Sequence, residues 1–235
     1  MLPGMQQLLM LAAAVLLFSG HSLAQLVPGP LFQDHMVIQA EKAAPIYGTD
    51  APGTTVKVTA SWQEEASALA DASGRWLVNL HPPKDEGPHT ITLRGTTEVI
   101  LKDVLSGEVW ICGGQSNMEW SMGPHVGKGI LNYQAELATV KHPRIRLISV
   151  PKVAAATPQA RFEGQWQSAD GPHVARWSAV AWFFARDLQA VIGRPIGLIS
   201  TCWGAPRQRP GPARRRCARM AASTYHSAPS TLRNP

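Results

Sequence analysis

Apolar and polar residues alternate in short runs from residue 26 to about residue 103, and clusters containing Gly or Pro separate these runs. A period of two residues is typical of β-strands with one buried face, and a succession of short strands separated by turns indicates a β-sandwich. We therefore predict an amino-terminal β-sandwich domain over residues 25–103. The expected strands lie at residues 36–39, 45–48, 54–60, 75–80, 89–94 and 98–101.

The pattern changes after residue 104, where short apolar runs alternate with longer stretches of helical period. This alternation indicates an α/β arrangement built on a parallel sheet. Pro143, Gly193 and Pro195 are typical helix-ending residues, and they define the ends of the two helical stretches. We predict strands at residues 108–112, 145–150 and 196–201, helices at 118–140 and 178–192, and a loop at 151–177.

The candidate chemistry lies directly after the strand predicted at 108–112. Gly113 and Gly114 allow a sharp turn, which places Ser116 at the carboxyl end of that strand. Open α/β sheets bind their ligands at this edge. A serine there can act as a nucleophile if a base takes its proton and backbone N–H groups hold the oxyanion. The alternative is that Ser116 only caps the following helix.

Residues 107–120 read Gly-Glu-Val-Trp-Ile-Cys-Gly-Gly-Gln-Ser-Asn-Met-Glu-Trp. This string resembles the nucleophile block of the sialate O-acetylesterase family, a branch of the SGNH hydrolases, in which serine usually stands at the position of Gly113. Residues 195–204 resemble a second family segment that continues as Gly-Thr-Pro-x-Glu-Ala-Trp. The resemblance implies that Ser116 is the nucleophile, that the backbone N–H groups of Ser116 and Gly204 hold the oxyanion, and that residues 104–205 begin an SGNH-hydrolase-like domain with a flavodoxin-like sheet.

The resemblance also implies the substrate, an acetyl ester on a sugar, with sialic acids first. Related esterases of this architecture act on acetylated plant polysaccharides, so an acetylxylan-type esterase is an alternative. Gln115, Asn117 and Trp203 are expected to contact the substrate, although the Trp203 indole could instead pack within a loop.

A further alternative is a non-catalytic glycan-binding protein that uses Trp62 and Trp76 as stacking platforms. Both tryptophans fall in or beside predicted strands, and this position favours a place in the core of the sandwich.

The base of the esterase is the missing part of the prediction. A serine esterase needs a histidine base and an acid that orients it. Members of the family carry both near the end of a longer domain, as an Asp-x-x-His pair. We expect this chain to lack that pair and assign no base among His125, His142 and His173, which we interpret as loop or surface residues. We therefore expect the chain as printed to be inactive.

Residues 206–235 combine Arg, Pro, Ala and Ser without apolar periodicity, which predicts a disordered basic tail. One set of codons that encodes residues 204–213, with a single G restored, translates as Gly-Gly-Thr-Pro-Ala-Glu-Ala-Trp-Thr-Ser. This is the continuation that the family resemblance implies. We therefore interpret the tail as frameshifted and the esterase domain as truncated. A genuine terminus of this sequence is the alternative.

The amino terminus has an apolar run at residues 8–18, followed by Ser22-Leu23-Ala24. This pattern predicts a signal peptide over residues 1–24 and an exported protein: periplasmic or extracellular, or in the lysosomal and secretory system of a eukaryote. The run is too short for a comfortable membrane span, and an uncleaved anchor is the alternative. Cys112 and Cys202 each lie at the end of a predicted strand, and we expect free thiols there, with a disulfide as the alternative.

The net charge of +6 does not indicate a nucleic-acid partner. Seven of the 22 Lys and Arg residues, and none of the 16 Asp and Glu residues, lie in 206–235, so the rest of the chain is close to neutral. The sequence has no His, Cys, Asp and Glu cluster with metal-ligand spacing and no Gly-rich phosphate loop with a lysine. We therefore expect neither a metal nor a cofactor.

Overall fold

The computed structural model describes residues 25–204. The predicted signal peptide, Ala205 and the basic segment 206–235 lie outside the described residues. The strands are β1 (Val27–Pro28), β2 (Val37–Gln39), β3 (Ala44–Thr49), β4 (Thr55–Ala60), β5 (Glu64–Leu69), β6 (Arg75–Leu80), β7 (His89–Arg94), β8 (Glu98–Cys112), β9 (Lys141–Ser149), β10 (Gln167–Asp170) and β11 (Ile196–Ser200). The helices are α1 (Ser116–Glu119), α2 (Tyr133–Thr139), α3 (Gly171–Val174) and α4 (Ala179–Ile192).

Apart from β2, the strands of the amino-terminal region pair antiparallel and lie in two sheets. One sheet has the order β1-β3-β6, and the other includes the run β8-β7-β4-β5. Buried and exposed side chains alternate along β3, β4 and β6, as the sequence pattern predicts, and the buried ones from both sheets form one core. All six strands predicted here are present. The prediction missed β1, and it missed β5 because that strand carries small and charged residues.

One long strand, β8, connects the two regions of the chain. Its first half pairs antiparallel with β7, while residues 108–112 pair parallel with β11, and residues 105–107 pair parallel with β2. The predicted boundary at residue 103 therefore falls inside a continuous strand. Asp103, at φ +52°, is the one residue of β8 with a left-handed backbone.

An ion pair that is buried on its Arg146 side links Asp103 of β8 to β9, which lies on the far side of β11. The guanidinium of Arg146, whose side chain is 7% exposed, donates to both carboxylate oxygens of Asp103 at 3.0 and 2.9 Å. His35 Nδ1 lies 2.6 Å from the same carboxylate. Burial alone would raise the pKa of Asp103, but the hydrogen bonds from His35 and Arg146 outweigh it and lower that pKa below its ordinary value.

The second region places three parallel strands in the order β9-β11-β8, with β10 antiparallel on the outer side of β9. This is part of a mixed sheet of eight strands. A flavodoxin-like sheet has its first strand between the second and the third. Here the third of the parallel strands, β11, lies between the other two, so the order within residues 25–204 differs from the predicted one. β11 pairs with β8 on one edge and with β9 on the other, and β10 pairs with the outer edge of β9.

Helix α4 agrees with its prediction at both ends. The Ser178 hydroxyl accepts the N–H of Ala181 at 3.2 Å and caps the helix, and Gly193 at φ 72° ends it. The buried face of α4 carries Trp182 and small alanines, which pack in the core of the second region.

The single helix predicted at residues 118–140 is wrong, since the structure has the short helices α1 and α2 with a loop between them. Pro124 lies in that loop, and Gly127 and Gly129 have φ values of 81° and 75°. Positive φ values and proline both interrupt a helix. The predicted loop at 151–177 also contains β10 and α3, and Pro143 lies within β9 instead of ending a helix.

No helix within residues 25–204 has the length and the apolar composition that crossing a membrane requires.

Candidate active site

The carboxyl ends of the three parallel strands lie side by side. The register pairs Ser200 of β11 with Cys112 of β8 on one side and with Ser149 of β9 on the other. Backbone hydrogen bonds continue past the strand ends, from Thr201 N–H to the Cys112 carbonyl at 3.0 Å and from Trp203 N–H to the Gly114 carbonyl at 2.9 Å. The loops that follow these strands therefore meet at one edge of the sheet.

Gly114 makes the turn that leads from β8 to Ser116. Its φ is +155°, and a Cβ atom there would lie 2.9 Å from the Cβ of Met118, so a larger residue does not fit. Gly113, where the family usually has serine, is less restricted, because a Cβ there would meet only the Thr201 hydroxyl, at 3.2 Å. The departure from the family pattern thus leaves the turn intact.

Ser116 is exposed and is the first residue of α1. The capping position belongs to Gln115, whose side chain makes no capping hydrogen bond. The helix is closed instead by two backbone bonds, from Glu119 N–H to the Gln115 carbonyl at 2.9 Å and from Trp120 N–H to the Ser116 carbonyl at 3.1 Å. The alternative that Ser116 serves as a helix cap is therefore wrong, and its hydroxyl has no hydrogen-bond partner among residues 25–204.

Gly204 lies beside Ser116. A Cβ atom on Gly204 would clash with Glu119 Oε2 and would lie 3.3 Å from both the Cα and the Oγ of Ser116, so residue 204 packs tightly against both side chains. The Gly204 N–H group donates to Glu119 Oε2 at 2.6 Å. The N–H group that the resemblance assigns to the oxyanion thus holds a carboxylate oxygen in this structure.

A polar clamp formed by Glu119, Lys152 and Gly204 joins the three loops. Glu119 follows β8, Lys152 follows β9 and Gly204 follows β11. The second carboxylate oxygen of Glu119 pairs with the Lys152 ammonium group, and the Glu119 side chain is only 15% exposed. Neither Glu119 nor Lys152 is among the site residues that we predicted from the sequence. Glu119 lies inside the nucleophile block and could have been noticed there, whereas nothing in the sequence around Lys152 indicates its role.

The predicted substrate contacts lie at the surface of the same edge. Gln115 and Asn117 flank Ser116 and are exposed, and the Trp203 side chain is 46% exposed. The stacking platforms proposed for a non-catalytic glycan-binding protein, Trp62 and Trp76, are not exposed in this way. Trp76 is 3% exposed and belongs to the core, so it cannot stack on a sugar, and the half-buried Trp62 donates its indole N–H to Glu64 at 2.8 Å.

The described histidines do not meet Ser116. His125 is exposed in the loop after α1, and the half-buried ring of His142 packs edge-on against Trp182 at 5.5 Å. Contrary to expectation, the chain does contain an Asp-x-x-His spacing, at Asp170 and His173, and the two side chains pair at 3.1 Å.

This Asp170 and His173 pair lies at the wrong end of the sheet for catalysis at Ser116. Asp170 pairs with Lys141, the first residue of β9, whereas the site follows the last residue of that strand. Nine strand residues span about 25 Å at the usual rise of about 3.3 Å per residue. Asp170 instead caps α3, where its carboxylate accepts the His173 N–H at 3.0 Å.

Cys112 and Cys202 have free thiols, as predicted, and Cys202 is half-buried. Burial, and to a smaller extent the neighbouring Cys202, raises the pKa of the buried Cys112 thiol to about 11. Within residues 25–204, no group of three His, Cys, Asp or Glu side chains is arranged to hold a metal ion.

Comparison with known proteins supports the resemblance. The chain is 33% identical to human sialate O-acetylesterase over 189 residues, which are 72% of this chain, and 31% identical to the mouse enzyme over 191 residues. The chain is a relative of the sialate O-acetylesterases. It spans about a third of the length of these curated relatives, 35% of the human protein. No family model matches the chain.

A solved structure agrees with this relationship. This sialate O-acetylesterase relative superposes on a carbohydrate acetylesterase from Xanthomonas citri with a TM-score of 0.66 and 35% sequence identity. The superposition covers 76% of the chain and 41% of the Xanthomonas protein. At this level of identity the likeness supports a shared fold and common ancestry over the covered part.

Proposed function

We propose that this relative of the sialate O-acetylesterases is a carbohydrate O-acetylesterase, or the amino-terminal part of one, that hydrolyses acetyl esters on sugars with Ser116 as its nucleophile. The observation that carries the proposal is the position of the exposed Ser116 hydroxyl. It follows a glycine turn, lies at the aligned carboxyl ends of three parallel strands, and is in close contact with the backbone of Gly204.

In the proposed reaction, Ser116 Oγ forms a bond to the acetyl carbonyl carbon and gives its proton to a base. The negative oxygen accepts hydrogen bonds from the N–H groups of Ser116 and Gly204. The carbonyl then re-forms, the sugar oxygen leaves with a proton, and water hydrolyses the acetyl-serine to acetate. No histidine among residues 25–204 makes a hydrogen bond to Ser116, so the base is not assigned.

The bond between Gly204 and Glu119 bears on the oxyanion role in two ways. A carboxylate oxygen carries the same kind of charge as an oxyanion, so its 2.6 Å contact supports the ability of this N–H group to hold one. One N–H group cannot donate fully to two acceptors, however. Glu119 must therefore move away from Gly204 when substrate binds, and Lys152 is placed to retain it.

Sialate esters are the substrate that we propose first, and acetylated xylan-type polysaccharides are the second candidate. In both cases Gln115, Asn117 and Trp203 would contact the sugar. We also infer that residues 25–103 form a β-sandwich domain and residues 104–205 the beginning of an SGNH-type esterase domain. The single core shared by the two antiparallel sheets supports the first inference. The signal-peptide pattern supports export.

The test has two arms, the chain as printed and a chain with one G restored after the codon for Gly204. We expect the frame-restored chain to release acetate from an O-acetylated sialoside or from acetylated xylan, and the printed chain to release far less. In the frame-restored chain, Ser116→Ala should lower turnover by about 1,000-fold or more. Ser67→Ala, at an exposed serine of β5, is the matched control and should leave it unchanged.

Undiminished turnover in Ser116→Ala would remove the nucleophile from the proposal. If neither chain releases acetate from either substrate, the esterase function itself is wrong, and glycan binding without catalysis becomes the better interpretation.

A further inference from the structure

Trp120 is a large aromatic side chain next to the nucleophile to which neither the sequence analysis nor the comparisons assign a role. It directly follows α1, and its N–H group donates to the Ser116 carbonyl at 3.1 Å, which closes one helical turn between the two residues. Residues four apart on a helical turn lie on the same side, with Cβ atoms about 5–6 Å apart. Trp120 is 40% exposed, so an indole surface faces solvent close to Ser116.

The loop between α1 and α2 holds this indole in one orientation. The indole N–H of Trp120 donates to the Gly129 carbonyl at 3.1 Å. Gly127 lies flat against the ring, because a Cβ there would be 2.8 to 2.9 Å from the indole atoms Cε3, Cδ2 and Cε2. Gly127 has a φ of 81°, so both its backbone conformation and its contact with the ring require glycine.

These contacts cover one face of the ring and leave other indole surface open. An aromatic side chain that is already fixed loses little conformational entropy when a ligand binds to it. Its location is also suitable. A hydrogen bond joins the Gly204 N–H group to the Glu119 carboxylate, and Trp120 and Trp203 are the chain neighbours of these two residues. Two exposed tryptophans thus lie next to the two residues of this bond, and Gly204 in turn lies against Ser116.

We propose that Trp120 is a stacking platform for the pyranose ring that carries the acetyl ester. The apolar C–H face of a pyranose ring would lie on the open indole surface, and this contact would hold the acetyl carbonyl near Ser116. The proposal rests on the proposed function, because it takes the ligand to be an acetylated sugar. It assigns Trp120 a part in substrate binding and no part in proton transfer.

The test measures binding without turnover, in the full chain that carries Ser116→Ala. Calorimetric titration with an acetylated xylo-oligosaccharide and with an O-acetylated sialoside gives Kd before and after Trp120→Ala. We expect Kd to rise about tenfold for at least one of the two sugars. Trp120→Phe retains an aromatic face and should raise Kd less. Gly127→Ala should weaken binding too, because it displaces the indole.

Trp110→Ala is the matched control. Trp110 is 43% exposed, but it lies on β8 and packs edge-on against Phe184 at a centroid distance of 5.0 Å, away from the loops of the site. Its replacement should leave Kd unchanged. Equal Kd values for Trp120→Ala, Trp120→Phe and the parent chain would overturn the proposal, as would a parent chain that binds neither sugar. All these titrations use the Ser116→Ala background, so their results do not depend on whether Ser116 is the nucleophile. The role of Ser116 is tested separately, by acetate release.

Discussion

The amino-terminal β region, residues 25–104, and the strand-end region, residues 105–204, bury their apolar side chains to different extents. In the first, aliphatic residues such as Ile46, Val58 and Leu80 are completely buried and the alternate positions are mostly polar. Four large apolar side chains of the first region are exposed: Tyr47, Leu69, Leu77 and Ile100. Among residues 105–204, ten are exposed. They are Trp110, Ile111, Trp120, Leu131, Val153, Val180, Phe184, Val191, Ile192 and Trp203.

The difference shows that both regions have a buried core, while most of the exposed apolar surface of residues 25–204 lies in the strand-end region. The β region is held by its own core, to which Ile148 and Trp166 of the second region also contribute. The strand-end region has a second core, holds its loops with polar contacts and leaves apolar surface exposed. Contiguous exposed apolar surface marks a binding site or a risk of aggregation.

The exposed edge of β8 is one part of that surface. The partner strand β2 ends at the register position of Gly107, and beyond it the N–H of Val109 donates at 3.0 Å to the side chain of Gln39 instead of to a strand. Ile111, two residues further on, is 74% exposed. An apolar strand edge of this kind favours association between chains.

The largest effect that we expect is from truncating the buried core of the β region. Leu80→Ala should lower the free energy of unfolding by about 3 kcal/mol, because it removes a fully buried side chain and leaves a cavity. Leu77→Ala is the control on the same strand, where the side chain is 54% exposed, and should cost under about 0.5 kcal/mol. Urea denaturation measures both. Equal losses would show that the two faces of β6 do not differ as described.

The junction between the regions should have the next largest effect. Asp103→Asn leaves the buried guanidinium of Arg146 without its charged partner and should cost about 2 kcal/mol, reduced by solvent screening on the Asp103 side. Glu98→Gln removes an exposed pair with Arg94 and should cost under about 0.5 kcal/mol. Thermal or urea unfolding at neutral pH would compare them.

The same junction predicts a pH dependence. Because the folded-state pKa of Asp103 is lowered, its contribution to stability is complete above the unfolded value of about 3.9 and is lost as the pH falls through the folded pKa. The stability difference between the parent chain and Asp103→Asn should therefore shrink only below about pH 4. A difference that stays constant down to pH 2 would contradict the pairing with Arg146 and His35.

The exposed edge of β8 should affect association more than stability. Ile111→Thr keeps a β-branched residue and should change the free energy of unfolding by under about 0.5 kcal/mol. It should, however, reduce the fraction of oligomers seen by sedimentation velocity. Leu69→Thr, on the charged edge strand β5, is the matched control and should not reduce association. If both variants reduce it equally, the two edges are alike.

The smallest effect concerns thiol reactivity. Only about one in a thousand Cys112 thiols is ionised at pH 8 when the pKa is about 11, and the side chain is buried. Iodoacetamide should therefore label the half-buried Cys202 well before Cys112, as peptide mapping would show. Faster labelling of Cys112 would indicate that the end of β8 opens to solvent.

Patterns within short segments of the sequence were sufficient to predict most of the secondary structure. Alternation predicted six strands of the β region, and Gly193 with Pro195 predicted the carboxyl end of α4, because these signals depend on neighbouring residues alone. The same local reasoning joined α1 and α2 into one helix, since it gave too little weight to Pro124, Gly127 and Gly129.

The amino-acid sequence by itself determined most of the strands, the glycine turn and the position of Ser116 in a string that resembles the nucleophile block of the sialate O-acetylesterases. The tertiary structure alone decided the order β9-β11-β8, the clamp of Glu119, Lys152 and Gly204, and the packing of Gly127 beneath Trp120. Glu119 and Gly204 are 85 residues apart in the chain. Contacts of this kind depend on which strands become neighbours, and no periodicity within a single segment records that choice.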